Sequence, residues 1–218
     1  DYDRVRDAVR LFDYANQKVY NGDYLVRLDE VFKKHDFKRP FIVYNAAAYK
    51  SPEYPKFIKR YETIMFDDYS PNPKYEEIMP GIKLFKENKC DVIVAIGGGS
   101  TLDVAKAIKL FSKLNPNIDF LKQTPVYVNT PLIAIPTTAG TGSETTRYAV
   151  IYASGEKQSL THDCIFPDIT IIDPTFLRGL PEYHRRSSLL DALCQAIESY
   201  WSKGATKQTR EFSARAIH

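Results

Sequence analysis

The sequence predicts an α/β chain built on a doubly wound, mostly parallel sheet, followed by the start of an all-helical region. Three observations carry that expectation. Short apolar runs alternate with stretches of helical periodicity, a triple glycine joins one such run to a helix, and no strand pattern follows Pro174.

Residues 1 to about 18 place Val5, Val9, Phe12 and Ala15 at helical spacing, which predicts an amphipathic helix. A short helix is expected from Leu25 to Lys34, and Pro40 to Tyr44 is a β-branched and aromatic run of buried-strand length. Glu62 to Phe66 predicts a second strand. The turn-rich residues Asp67 to Pro73 follow, and Tyr75 to Asn88 carries Ile78, Ile82 and Phe85 on one helical face. Asp91 to Ile96 predicts a third strand that runs into Gly97-Gly98-Gly99-Ser100, after which Leu102 to Leu114 has helical periodicity. Pro131 to Pro136 and Ile169 to Asp173 predict two more strands, and Tyr148 to Tyr152 is expected as another, partly antiparallel at an edge. Glu182 to Ser202 and Lys207 to His218 read as helices on either side of Gly204. A boundary is therefore expected near residue 180, between an α/β part (1–180) and the first helices of a truncated helical part (181–218). The chain begins without Met and closes inside a helical pattern, so both ends are expected to lie within a longer chain.

Composition narrows the function classes. With 44% hydrophobic and 26% charged residues, 218 residues suffice for a substantial core, and no apolar run approaches the roughly 20 residues that span a bilayer. A net charge of +3, spread among acids, argues against nucleic acid as a partner. Cys90, Cys164 and Cys194 show no CxxC spacing, which favours free thiols in a reducing compartment and makes the cytoplasm the expected location.

Two loops carry the chemistry. Glycines between a buried strand and a helix let a ligand approach the backbone, and the free N–H groups at a helix start favour phosphate. A tight turn with a packing role is the plainer alternative. The second loop, Pro136-Thr137-Thr138-Ala139-Gly140-Thr141-Gly142-Ser143-Glu144, follows another strand and offers small hydroxyl donors to phosphate and ribose oxygens. Both loops are expected at the carboxyl ends of strands, where one dinucleotide can lie across them.

Asn72-Pro73, Gly97 to Asp103 with Lys106, Pro136 to Glu144, Ile172-Asp173-Pro174 and Asp191 to Glu198 together resemble the iron-containing (group III) alcohol dehydrogenases. Relatives of that family include glycerol dehydrogenase and dehydroquinate synthase, and the resemblance implies a Rossmann-like, dehydroquinate synthase-like α/β domain. It implies that Gly98, Gly99 and Ser100 bind the pyrophosphate, that Asn72 and Gly97 are also cofactor-binding, and that Asp103 supports the loop and the nicotinamide side. Thr137, Thr138 and Thr141 would line the adenine and phosphate region, with Lys157 and Leu177 at the ribose and adenosine. Asn45 stands where many members carry an acid for the adenosine ribose. A neutral residue there leaves NADP at least as open as NAD.

The family pairs an Asp with a His four residues on as the start of an iron or zinc site. Here Asp191 matches and Gln195 does not, so the resemblance gives Asp191 and Gln195 as metal candidates with one weak donor. The pattern around Asp191 and Gln195 also resembles the phosphonoacetaldehyde reductases (hydroxyethylphosphonate dehydrogenases), which implies a small anionic aldehyde. Arg147 is the candidate cation for such a substrate, and His162 a candidate proton relay. The implied protein is a homodimeric, metal-dependent NAD(P)H-linked alcohol dehydrogenase or aldehyde reductase. A catalytically inactive nucleotide-binding module and a dehydroquinate synthase-like lyase or cyclase are the alternatives.

Overall fold

The computed structural model describes residues 17–45 and 59–218, so the helix expected over residues 1 to about 18 falls almost wholly outside them. Six parallel strands form the central sheet: β1 (Lys18–Asn21), β2 (Pro40–Tyr44), β3 (Ile64–Phe66), β4 (Val92–Gly97), β5 (Leu132–Pro136) and β8 (Ile169–Ile172). Their spatial order is β1-β8-β5-β4-β2-β3. Helices connect them: α1 (Tyr24–His35) lies between β1 and β2, α2 (Tyr75–Glu87) between β3 and β4, and α3 (Gly99–Phe111) makes the crossover between the parallel neighbours β4 and β5.

The continuous apolar runs of β2 and β4 reflect burial on both faces. Phe41, Val43, Ile93 and Ala95 point into a cluster with Ile78, Ile82 and Phe85 of α2 and Ile108 and Phe111 of α3. Ile42, Tyr44, Val94 and Ile96 point the other way, into a cluster with Leu28, Val31 and Phe32 of α1. Strand alternation thus feeds two cores, which is the physical content of a doubly wound sheet. The ends of α1 follow from its sequence. Asp23 accepts from the N–H groups of Leu25 and Val26, and Lys33, Lys34 and His35 occupy the last turn before Asp36, whose φ of 57° ends the helix.

One expectation needs correction, and one strand was not expected. Tyr148 to Tyr152 is not an edge of the main sheet. It belongs to β6 (Tyr148–Ala153), which pairs antiparallel with β7 (Glu156–Thr161) in a separate hairpin. Ser154 and Gly155, with φ of 52° and 80°, make the two-residue turn whose twist suits a hairpin, and Ala149, Ile151 and Leu160 bury its inner face in the α3-side core. The unexpected strand is β1, whose four residues Lys-Val-Tyr-Asn are too few and too polar to read as a strand and gain their place by pairing with β8.

After β8 come a short helix, α4 (Thr175–Arg178), and two longer ones, α5 (Glu182–Trp201) and α6 (Lys207–Ile217). Asp173 ties the end of β8 to the start of α1: one carboxylate oxygen accepts from Tyr24 N–H at 3.0 Å, the other from Thr175 N–H at 2.9 Å. Among the described residues no helix is long and apolar enough to cross a membrane.

Ile93 is fully buried at the centre of the sheet, so Ile93→Ala should destabilise the intact protein by about 2–5 kcal/mol in chemical denaturation. Val26→Ala, at a side chain 55% exposed on α1, should change stability by less than about 0.5 kcal/mol in the same measurement.

Candidate functional site

Strand register brings the two loops together. Gly97 at the end of β4 pairs with Pro136 at the end of β5, and Thr137 N–H donates to Gly97 O at 2.9 Å. On the other side of β4, Tyr44 pairs with Ile96, and Asn45 N–H donates to Ile96 O at 3.2 Å. Three chain segments therefore leave the carboxyl edge side by side and surround a cavity of about 520 Å³. Asn45, Gly98, Gly99, Ser100, Thr138 and Thr141 line it, joined by Asp67 and Tyr69 from the segment after β3 and His184 and Ser188 from α5.

Gly98 is the N-cap of α3 and has no side chain to occupy the first-turn donors. Leu102 N–H already bonds Gly98 O, so the N–H groups of Gly99, Ser100 and Thr101 are the ones available at the positive end of the helix dipole. A Cβ on Gly97 would overlap Thr101 Oγ1. Gly140, at φ of 140°, lies where a Cβ would overlap the Ser188 carbonyl, so glycine there lets the threonine loop rest against α5. Tyr69 braces the wall, its hydroxyl 2.8 Å from both Tyr44 O and Thr101 Oγ1, and burial pushes its phenol up to about 12.

Behind the cavity lies a buried charge cluster. The Lys106 ammonium, fully buried on α3, donates to Ser143 O at 2.6 Å, Ser143 Oγ at 3.1 Å, Thr146 Oγ1 at 3.1 Å and Tyr148 O at 2.8 Å. Burial lowers it to about 8, with the Asp103 and Glu144 carboxylates pulling the other way. Asp103 accepts from Ser143 Oγ at 3.3 Å. Burial raises its carboxyl to about 6, opposed by Lys106, by bonds from Val150 N–H and Ser143, and by Lys157. Glu144 is likewise raised by burial.

Residues 16–174 match the family described as iron-containing alcohol dehydrogenase. The chain belongs to that family. It is 40% identical over 150 residues to the probable alcohol dehydrogenase EutG of Escherichia coli (strain K12), a match covering 66% of this chain and 38% of that protein. It is 37% identical over 163 residues to the NAD-dependent methanol dehydrogenase of Bacillus methanolicus, covering 72% and 42%. Among solved structures, the sulfoacetaldehyde reductase of Bifidobacterium kashiwanohense in complex with NAD+ superposes with a TM-score of 0.83 at 28% identity, over 92% of this chain and 56% of that one. The matched part of the chain spans about two fifths of the curated relatives' length.

The iron-containing dehydrogenase motifs fall into three groups in space. Asn45, Gly98, Gly99, Ser100, Thr138 and Thr141 share the cavity; Asn72 N–H reaches Ser100 Oγ at 3.3 Å; Gly97 and the buried Thr137 form the floor at the strand ends. Asp103 sits a turn deeper. Lys157 lies exposed on β7, acting on Asp103 only through its charge, and Leu177 is half-buried on α4; neither lines the cavity.

Arg147 and His162 stand apart. Arg147 pairs with Asp163 at 2.6 Å beside a different cavity, between Tyr127 and Asp168, and His162 Nδ1 accepts from Cys164 N–H at 3.1 Å. Neither the candidate cation Arg147 nor the candidate relay His162 lines the cavity at the ends of β4 and β5, and each is held by a local partner. Asp191 and Gln195 do share one face of α5, where Gln195 Nε2 donates to Asp191 Oδ2 at 3.0 Å. That pair does not fit a metal by itself: the amide is a weak neutral donor, and no group of three His, Cys, Asp or Glu side chains converges among the described residues.

Asp67, Tyr69, His184 and Ser188 were not singled out from sequence. Asp67 and Tyr69 had a signal, since they open the turn-rich stretch after a strand, where ligands gather in such sheets. His184 and Ser188 had none, because only folding brings α5 to Gly140.

The buried Asp103 keeps its proton in the folded chain at pH values where the unfolded chain has lost it. Its contribution to stability is therefore full below the unfolded value of 3.8 and is lost as pH rises towards about 6. Asp103→Asn should remove this dependence, so that variant and wild type diverge by about 1–3 kcal/mol in the variant's favour between pH 4 and 6.5, read from urea denaturation.

Proposed function

We propose that this chain forms the dinucleotide-binding part of a nicotinamide-linked alcohol dehydrogenase or aldehyde reductase acting on small molecules, with a helical part beginning near residue 180. The observation that carries the reading is the register of β4 against β5, which sets a helix N-terminus and a hydroxyl-rich loop on one cavity. The first-turn N–H groups of Gly99, Ser100 and Thr101 would hold the pyrophosphate, and the hydroxyls of Ser100, Thr138 and Thr141 would hold phosphate and ribose oxygens. When bound, the nicotinamide supplies or accepts hydride. Tyr69 and the α5 residues His184 and Ser188 would wall the bound cofactor. Family membership favours a divalent metal, generally iron, whereas Asp191 and Gln195 alone do not fit one.

A narrower substrate reading, a small anionic aldehyde such as phosphonoacetaldehyde, is favoured by the likeness to sulfoacetaldehyde reductase. Arg147, the cation candidate for such a substrate, lies outside this cavity and pairs with Asp163.

NADH oxidation by the intact protein, with propanal and with phosphonoacetaldehyde, before and after chelation and return of iron, tests the proposal. Turnover that chelation abolishes and iron restores is the expected result, and preference for the phosphonate supports the anionic reading. Nucleotide binding without turnover of either aldehyde points instead to an inactive binding module.

A further inference from the structure

Asn45 alone leaves the choice between NAD and NADP open, but the folded cavity contains a carboxylate from outside the glycine and threonine motifs. Val43 on β2 pairs with Phe66 on β3, so Asp67 leaves the sheet beside Tyr44 and Asn45 and lines the same cavity. Asp67 is exposed and, among the described residues, has no cationic partner. No described Lys or Arg lines the cavity either. Its other ionisable side chain besides the tyrosines, His184, comes from α5, which meets the threonine loop after β5 and so lies across β4 from β3.

That placement separates the two ends of a dinucleotide. With the pyrophosphate at the start of α3, one end extends towards β5 and α5, where Asp191 and Gln195 lie. The other extends towards β2 and β3. In doubly wound sheets an acidic side chain at a neighbouring strand end accepts from the adenosine ribose hydroxyls. We infer that Asp67 is the specificity-determining residue of this site, accepting from the adenosine ribose hydroxyls and repelling a 2′-phosphate, so that NAD is selected over NADP.

The inference rests on the dinucleotide reading above and is tested with it. NADH and NADPH are titrated, by nucleotide fluorescence, onto the intact wild-type protein and its Asp67→Asn and Asp67→Glu variants. Wild type should bind NADH more tightly than NADPH by about tenfold or more, and Asp67→Asn should shrink that ratio by about tenfold, chiefly by tightening NADPH. Asp67→Glu, which keeps the charge, should preserve the preference. Rising salt should erode it in wild type and leave Asp67→Asn unchanged, because an exposed charge is screened. An unaltered melting temperature in both variants separates these effects from misfolding. A preference for NADPH in wild type, or a ratio unmoved in Asp67→Asn while NADH still binds, overturns the assignment and leaves the dinucleotide site standing. Binding of neither nucleotide overturns both.

Discussion

The Lys106 ammonium is the constraint on which the site depends. A fully buried cation costs several kcal/mol unless its protons are all satisfied, and here two backbone carbonyls and two hydroxyls surround it. Its stem belongs to the helix that begins at the glycine turn, and its acceptors belong to the end of the threonine loop and the start of the β6–β7 hairpin. Satisfying one charge thus fixes the glycine turn and the threonine loop relative to each other. Asp103 and Glu144, both raised by burial, supply the negative potential that makes a cation tolerable there.

The parallel sheet decides where those loops appear. All six strands run the same way, so every carboxyl end lies at one edge, and the register of β2, β4 and β5 brings Asn45, Gly98 and Thr137 out together. The two cores, one against α1 and one against α2 and α3, hold that edge rigid. Glycine contributes at two points: Gly97, where Thr101 needs the space, and Gly140, where the loop passes against α5.

The parts legible in the sequence were those whose signal is local. β4, the glycine turn and α3 form a strand, breaker and helix within a single run of residues, and the threonine loop is recognisable by its hydroxyls. The strand β1 was not legible, because Lys18 to Asn21 has no apolar pattern and exists through pairing with β8. The hairpin partner β7, Glu-Lys-Gln-Ser-Leu-Thr, buries Leu160 and little else, so its sequence reads as loop. In the site, residues on the glycine and threonine motifs could be named in advance, while His184 and Ser188 depend on a contact between distant segments. Arg147 and His162 show the converse. Each has suitable chemistry, and each is occupied by a neighbour, Asp163 in one case and the Cys164 N–H in the other.

If the glycine turn and the threonine loop form one dinucleotide site, both must respond to the same nucleotide. Hydrogen exchange of the intact protein with and without NADH tests it most directly, by following the amides of residues 98–103 and 137–145. Slowed exchange in both segments, over the same range of NADH concentration, is the predicted result. Slowing in only one of them, or in neither while NADH binds, would contradict it.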